Sequence, residues 1–170
     1  MLDLVEEFKY CDSISLSWRL FGSNGLHFDN DYSVLKRFTK RQHDFNIHVK
    51  SILNLAKLRS FGDQRRTMFM NPHFAYRDSI CTLQQYTVDR RQIVGPYDNA
   101  ANYKLKDNDT WLAHYFCKTP EEWKLKQARG RVDVPANSGM VYRKDEEFSQ
   151  HDFNDVEDTS LRDVLCKDSN

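Results

Sequence analysis

The stretch Ser13-Ile14-Ser15-Leu16-Ser17-Trp18 alternates small polar with large apolar residues. Successive side chains of a strand point to opposite faces, so this spacing predicts a β-strand that buries Ile14, Leu16 and Trp18 on one side and keeps a polar serine face on the other. Ile47, Val49, Ser51 and Leu53 repeat the period and predict a second strand between Asn46 and Asn54. Between the two lies Phe21-Gly22-Ser23-Asn24-Gly25-Leu26-His27-Phe28-Asp29-Asn30-Asp31, rich in turn formers directly beyond a strand end, which predicts a long loop of the kind that carries function.

Helical patterns alternate with these strands. Leu2, Val5 and Phe8 recur at helical spacing and predict a short surface helix. Asp31 or Ser33 can cap a helix through Val34, Leu35 and Phe38, and its basic outer face (Lys36, Arg37, Lys40, Arg41) reads as a solvated one. Leu58 to Arg66 is basic and irregular. The sharpest local signal follows the apolar run Trp111 to Phe116. Thr119-Pro120-Glu121-Glu122 sets an N-cap, a proline at the first helical position and a capping-box glutamate, and Gly130 sits where a helix of this length would end. The acidic tail from Asp145 to Asn170 predicts two short helices and a frayed end. The alternation gives an α/β or mixed chain, and 170 residues with 39% hydrophobic content fill the core of one domain.

Several functions are disfavoured at once. Lys plus Arg and Asp plus Glu balance at 25 each, which builds no broad positive field for nucleic acid or an anionic membrane. Cys11, Cys81, Cys117 and Cys166 form no CxxC pair, so free, mostly buried thiols in a cytoplasmic setting are expected. The acidic N-terminus and the lack of any apolar stretch near the roughly 18 residues of a span argue against a secretion signal and an integral membrane segment. A metal hydrolase built on His73, His114, His151 and Asp152 would need a compact ligand spacing that these residues do not have.

Two ordered blocks carry a family resemblance. Trp18-Arg19-Leu20-Phe21-Gly22-Ser23-Asn24-Gly25 is similar to the W-x-x-F-G-S-x-G loop of glycosyltransferases of the DUF23, or family 92-like, group. His114-Tyr115-Phe116-Cys117-Lys118-Thr119-Pro120-Glu121-Glu122-Trp123, with Lys126, Arg129 and Gly130, resembles that group's H-Y-x-x-K-S/T-x-E-E-F/W-x-x-K-x-x-R-G segment. Fainter echoes in the same order are Phe38-Thr39-Lys40-Arg41, Val49-Lys50-Ser51-Ile52, Pro72-His73 and His151-Asp152-x-Asn154-x-Val156-Glu157-Asp158.

The resemblance implies a partial GT-A-type, Rossmann-like α/β glycosyltransferase domain. Residues 1–158 would be its C-terminal, acceptor-side portion and 159–170 a tail, without the N-terminal nucleotide-binding half and its Asp-x-Asp metal motif. Asp29-Asn30-Asp31 has that spacing but follows the strand, inside the acceptor loop, and is not read as the motif. By the same resemblance the chain would use a nucleotide-sugar donor, a glycan or lipid-linked acceptor and Mn²⁺ or Mg²⁺. His114 would be the metal ligand; a packed, hydrogen-bonded histidine is the competing reading. Lys118, Lys126 and Arg129 would face the diphosphate, with Tyr115 and His73 lining the site. Gly22, Ser23, Asn24 and Gly25 would approach sugar hydroxyls beside Arg19, and Trp18 or Phe21 would stack on a pyranose ring. The base would be Asp29 or Asp31, and since a helix cap suits Asp31, Asp29 is the catalytic candidate. The alternative is a non-catalytic carbohydrate- or partner-binding module derived from such an enzyme. A sheet lacking its first half would also expose an apolar face and a pairing edge, which predicts self-association or a partner chain.

Overall fold

The computed structural model describes residues 2–28, 32–46, 48–59, 67–71, 74–77, 84–93, 110–131 and 142–167. In chain order these form α1 (Leu2–Glu7), β1 (Ser13–Leu20), α2 (Val34–Arg37), β2 (Lys40–Arg41), β3 (Val49–Leu53), α3 (Leu55–Arg59), β4 (Thr67–Asn71), β5 (Phe74–Arg77), β6 (Gln85–Thr87), β7 (Gln92–Ile93), β8 (Leu112–His114), α4 (Pro120–Arg129), α5 (Asp145–His151), β9 (Val156–Glu157) and α6 (Ser160–Lys167). The chain is mixed α/β and divides into two compact units. One is Met1–Trp18 with Phe45–Leu112, the other Arg19–Asp44 with Ala113–Asn170. Among the described residues, no helix is long and apolar enough to cross a membrane.

In the first unit β1 is flanked on both edges. β3 pairs with it antiparallel, Ser13 opposite Leu53 and Ser17 opposite Val49, and β6 pairs with it parallel, Ser13 opposite Gln85. β7 continues the mixed sheet in the order β3-β1-β6-β7. The alternation in Ser13–Trp18 is therefore a central strand, and its serine face is buried along with its apolar face: Ser13, Ser15 and Ser17 are each at most 1% exposed. Cross-strand hydrogen bonds make the burial of Ser15 tolerable. Gln85 Nε2 donates to Ser15 Oγ at 2.6 Å and to Ser51 Oγ at 3.0 Å, and the two serine hydroxyls stand 3.4 Å apart. Left unmatched, each such group would cost about 1–3 kcal/mol. The second expected strand is β3, with Ile47 outside the described residues. α3 was not expected. It is a single turn and a half started by Asn54, whose Oδ1 accepts the Lys57 amide at 3.3 Å. β4 and β5 form a separate antiparallel hairpin, Thr67 opposite Arg77.

The second unit is built around α4 and the strand ends that face it. Leu20, Phe21, Phe38, Cys117, Thr119 and Trp123 are each at most 3% exposed and form its core. Fully burying a large apolar side chain contributes about 1.5–3 kcal/mol, so these few residues dominate its stability. α4 begins and ends where its chemistry requires. Thr119 Oγ1 accepts the Glu122 amide at 3.2 Å, Glu122 Oε2 accepts the Thr119 amide at 3.3 Å, Pro120 opens the helix, and Gly130 closes it at φ 76°. β2 pairs antiparallel with β9, Lys40 opposite Glu157. The tail carries α5 and α6.

Two expectations are corrected here. The expected basic helix face is not one solvated face: the helix ends at Arg37, Lys40 and Arg41 lie in β2, and of the four Lys36 and Lys40 are exposed whereas Arg37 is buried and makes a two-point ion pair with Glu122, Nη1 to Oε2 and Nη2 to Oε1, both 3.0 Å. Arg41 likewise binds Asp158, Nε to Oδ2 at 2.6 Å. Ser33 occupies the expected N-cap position of α2, but its side chain makes no capping hydrogen bond; Asp31 lies outside the described residues. Of the thiols, Cys117 is buried and Cys11 half-buried, both free; the side chains of Cys81 and Cys166 lie outside the described residues.

Candidate functional site

The loop after β1 is held in one shape by the segment near residue 153. Asp152 accepts the Ser23 amide at 2.5 Å and the Ser23 hydroxyl at 3.0 Å, and Asn154 Oδ1 accepts the Asn24 amide at 2.8 Å. Asn24 is tied in turn to Thr39 and Lys40, donating to Thr39 Oγ1 at 3.0 Å and accepting the Lys40 amide at 2.8 Å. Gly22 donates to the Lys40 carbonyl at 3.0 Å. A Cβ on Gly22 would strike the Phe153 carbonyl and stand 2.6 Å from Asn154 Oδ1, so only glycine admits this approach. Asn24 and Gly25 follow in left-handed conformation, φ 57° and 74°.

The stretch beginning at His114 meets this loop within the second unit. The Phe21 amide donates to the His114 carbonyl at 3.1 Å, and the Phe21 and Tyr115 rings lie 4.9 Å apart. Tyr115 is also 6.2 Å from Phe38, and its hydroxyl is buried with no hydrogen-bond partner among the described residues. Burial, helped by the Asp158 carboxylate, pushes that phenol up to about 12. The His114 ring packs 5.9 Å from Phe116, which stacks at 4.4 Å on His151.

Past Phe116 the charges are tightly arranged. Burial opposes ionisation of Glu122, but hydrogen bonds from Arg37, Lys118 and Thr119 outweigh it and hold the carboxyl at about 2. Lys118, in left-handed conformation at φ 60°, pairs with Glu122 at 3.1 Å. Lys126 is half-buried, with Nζ 4.0 Å from the Phe116 ring centre, donating to the Phe116 carbonyl at 2.5 Å. Burial first, then the neighbouring charge of Arg143, lowers its ammonium to about 8. Cys117 donates to the Phe148 carbonyl at 3.4 Å, and burial raises its thiol to about 12, so it is protonated and inert as a nucleophile. A cavity of about 500 Å³ opens between Tyr115–Lys118 and the side chains of Glu122, Leu125, Lys126 and Arg129.

Of the residues expected at the site, Phe21, Gly22, Ser23, Asn24, Gly25, His114, Tyr115, Lys118, Lys126 and Arg129 all lie in the second unit, and Lys118, Lys126, Arg129 and Tyr115 line one cavity. Arg19 belongs to the same unit, buried, donating to the His43 carbonyl at 3.0 Å. Asp29 and His73 lie outside the described residues. The rings expected to stack on a sugar do not offer an open face: Phe21 is 1% exposed, and Trp18, in the first unit, is buried against His48 at 5.0 Å. The backbone donors of Ser23 and Asn24 are engaged by Asp152 and Asn154 rather than left for a ligand.

Sequence reasoning passed over three kinds of residue. Asp152 and Asn154 anchor the loop, and the only trace of this is an Asp-x-Asn spacing with no hint of its partner. Arg37 is a buried counter-ion that resembles any surface arginine. Phe28 and Tyr32, 72% and 66% exposed, present aromatic surface that Trp18 and Phe21 do not. Among the described residues no group of three or more His, Cys, Asp or Glu side chains is placed to hold a metal ion. No protein-family model matches the chain, and no curated protein or solved structure matches it.

Proposed function

We propose that the second unit is the acceptor-side portion of a family 92-like, GT-A-type glycosyltransferase domain, which takes part in moving a sugar from a nucleotide-sugar donor to a glycan or lipid-linked acceptor. One observation supports this reading above the others. Segments that resemble one family, far apart in the chain, bond directly to one another in one unit: Ser23 to Asp152, Asn24 to Thr39 and Asn154, Phe21 to His114, and Arg41 to Asp158.

In this proposal Lys118, Lys126 and Arg129, around the 500 Å³ cavity along α4, face the departing diphosphate. Phe28 supplies a stacking face for a sugar ring. Asp29 takes the proton of the acceptor hydroxyl as its oxygen bonds to the sugar carbon and the bond from that carbon to the diphosphate breaks. Mn²⁺ or Mg²⁺ enters only with ligands from beyond the described residues, because His114 alone does not make a divalent-cation site.

One observation favours a second reading, a non-catalytic carbohydrate-binding module. Lys118 is already paired with Glu122, and the Lys126 ammonium is weakened and turned to a carbonyl, which leaves less positive charge for a diphosphate than the letters suggest. Calorimetric titration separates the two. Under the enzymatic reading UDP or GDP with Mn²⁺ binds to the chain, and His114→Ala and Lys118→Ala/Arg129→Ala weaken that binding at least tenfold. Retained glycan binding with no nucleotide binding selects the module, and absence of both rejects the proposal.

A further inference from the structure

The first unit contains a cavity of about 690 Å³ among the turn that follows α1, the start of β1, the end of β3 and α3. Its volume falls in the range of roughly 300–1,000 Å³ typical of small-molecule sites. The walls are apolar, formed mainly by Phe8, Ile14, Ile52, Leu53, Leu55 and Ala56. Leu55 and Ile52 are 60% and 39% exposed, so apolar surface that a ligand would cover is left to water.

The polar part of the lining is one-sided. Among the described residues, Lys9 and Lys57 border the cavity and no Asp or Glu does. Each lysine has a carboxylate behind it, Glu6 at 3.0 Å from Lys9 and Asp12 at 3.6 Å from Lys57, and Lys57 also donates to the Tyr10 carbonyl; their side chains remain 50% and 35% exposed. Neither Glu6 nor Asp12 is itself among the residues that line the cavity. The Asn54 amide is spent, donating to the Lys9 carbonyl at 3.0 Å and accepting the Lys57 amide at 3.3 Å. Ser13 also lines the cavity, is 1% exposed, and its hydroxyl has no hydrogen-bond partner among the described residues. That hydroxyl is closed off from the cavity and takes no part in binding.

Cys11 belongs to the same wall. Burial raises its thiol above the ordinary value, against the pull of Lys57 and together with Asp12, so it stays protonated and adds apolar surface rather than a nucleophile. The site is therefore a non-covalent one.

We infer that this cavity binds a small amphipathic anion, its apolar body against Phe8, Ile14, Ile52 and Leu55 and its carboxylate drawn to Lys9 and Lys57. The inference rests on the first unit alone and stands apart from the transferase reading of the second.

The test is calorimetric titration of the full chain with dodecanoate below its micelle concentration, beside dodecanol and dodecyltrimethylammonium. Dodecanoate saturates at one per chain and binds more tightly than dodecanol, with the cation weakest. Lys9→Gln/Lys57→Gln loses roughly three- to tenfold for dodecanoate, as expected for two partly exposed ion pairs, and leaves dodecanol within about twofold. Ala56→Trp, which fills the cavity, abolishes binding of both, and Ile52→Glu, at a partly exposed position, serves the same purpose should the tryptophan variant fail to fold by circular dichroism. Equal affinity for the three head groups, binding that survives both cavity variants, or absence of saturable binding overturns the inference. So does binding to phosphatidylglycerol vesicles without binding to monomeric dodecanoate, which would make this face a membrane-docking surface instead.

Discussion

Asp152 accepts both the backbone amide and the hydroxyl of Ser23, a residue 129 positions earlier in the chain. Replacing it with alanine orphans a buried amide and a hydroxyl together. Asp152→Ala should cost about 2–3 kcal/mol in urea unfolding, whereas Asp152→Asn, whose carbonyl oxygen can still accept the amide, should recover about half. Equal losses for the two variants would show that the carboxylate itself, not the accepted hydrogen bond, sets the loop.

The Glu122 carboxyl ionises at about 2 in the folded chain against an ordinary value of 4.5. A depressed acid contributes stability that is fully present above 4.5 and lost as pH falls toward 2. Glu122→Gln should therefore be less stable than wild type by about 2–3 kcal/mol at pH 6, since it leaves Arg37 buried without its counter-ion, and most of the difference should be lost as pH falls to 2, where the wild-type carboxyl is half protonated. Urea midpoints across that window, read as the difference between the two proteins, measure it.

Gly22 and Gly25 are both loop glycines, yet their substitutions should differ in kind. Gly22→Ala drives a methyl into the Phe153 carbonyl and Asn154 and should cost about 2–3 kcal/mol. Gly25→Ala meets nothing within 4 Å and pays only for its φ of 74°, about 1–2 kcal/mol. Thermal unfolding of the two variants checks the order.

Phe28 is 72% exposed, so Phe28→Ala should leave the thermal midpoint unchanged. If its ring stacks on a sugar as proposed, glycan binding weakens about fivefold or more. An unchanged glycan affinity would remove Phe28 from the site.

The parts of the fold that could be read from the letters are those whose causes are local. Thr119, Pro120, Glu122 and Gly130 lie within one helix, and their cap chemistry fixes both of its ends without outside help. The alternation at Ser13–Trp18 likewise gave a strand, but not the burial of its serine face, because Ser51 and Gln85 come from 36 and 70 positions away. Arg37 looked like a solvated charge because its partner stands 85 residues on and had already been counted as a cap. Strands of two or three residues, such as β2, β7 and β9, are too short to show a period at all. At the candidate site, the loop and the His114 stretch were legible as segments. What occupies their donors and which aromatic rings face outward depend on tertiary partners that no spacing reveals.

Glu122 serves two masters: its Oε2 closes the cap of α4 while both its oxygens grip Arg37 on α2. Loosening either grip loosens the other, so these two helices should fluctuate in concert rather than fray one by one. In amide hydrogen exchange the first turn of α4 and the backbone around Arg37 and Phe38 should open as a single event with a shared free energy, and Glu122→Gln should speed exchange in both by a common factor.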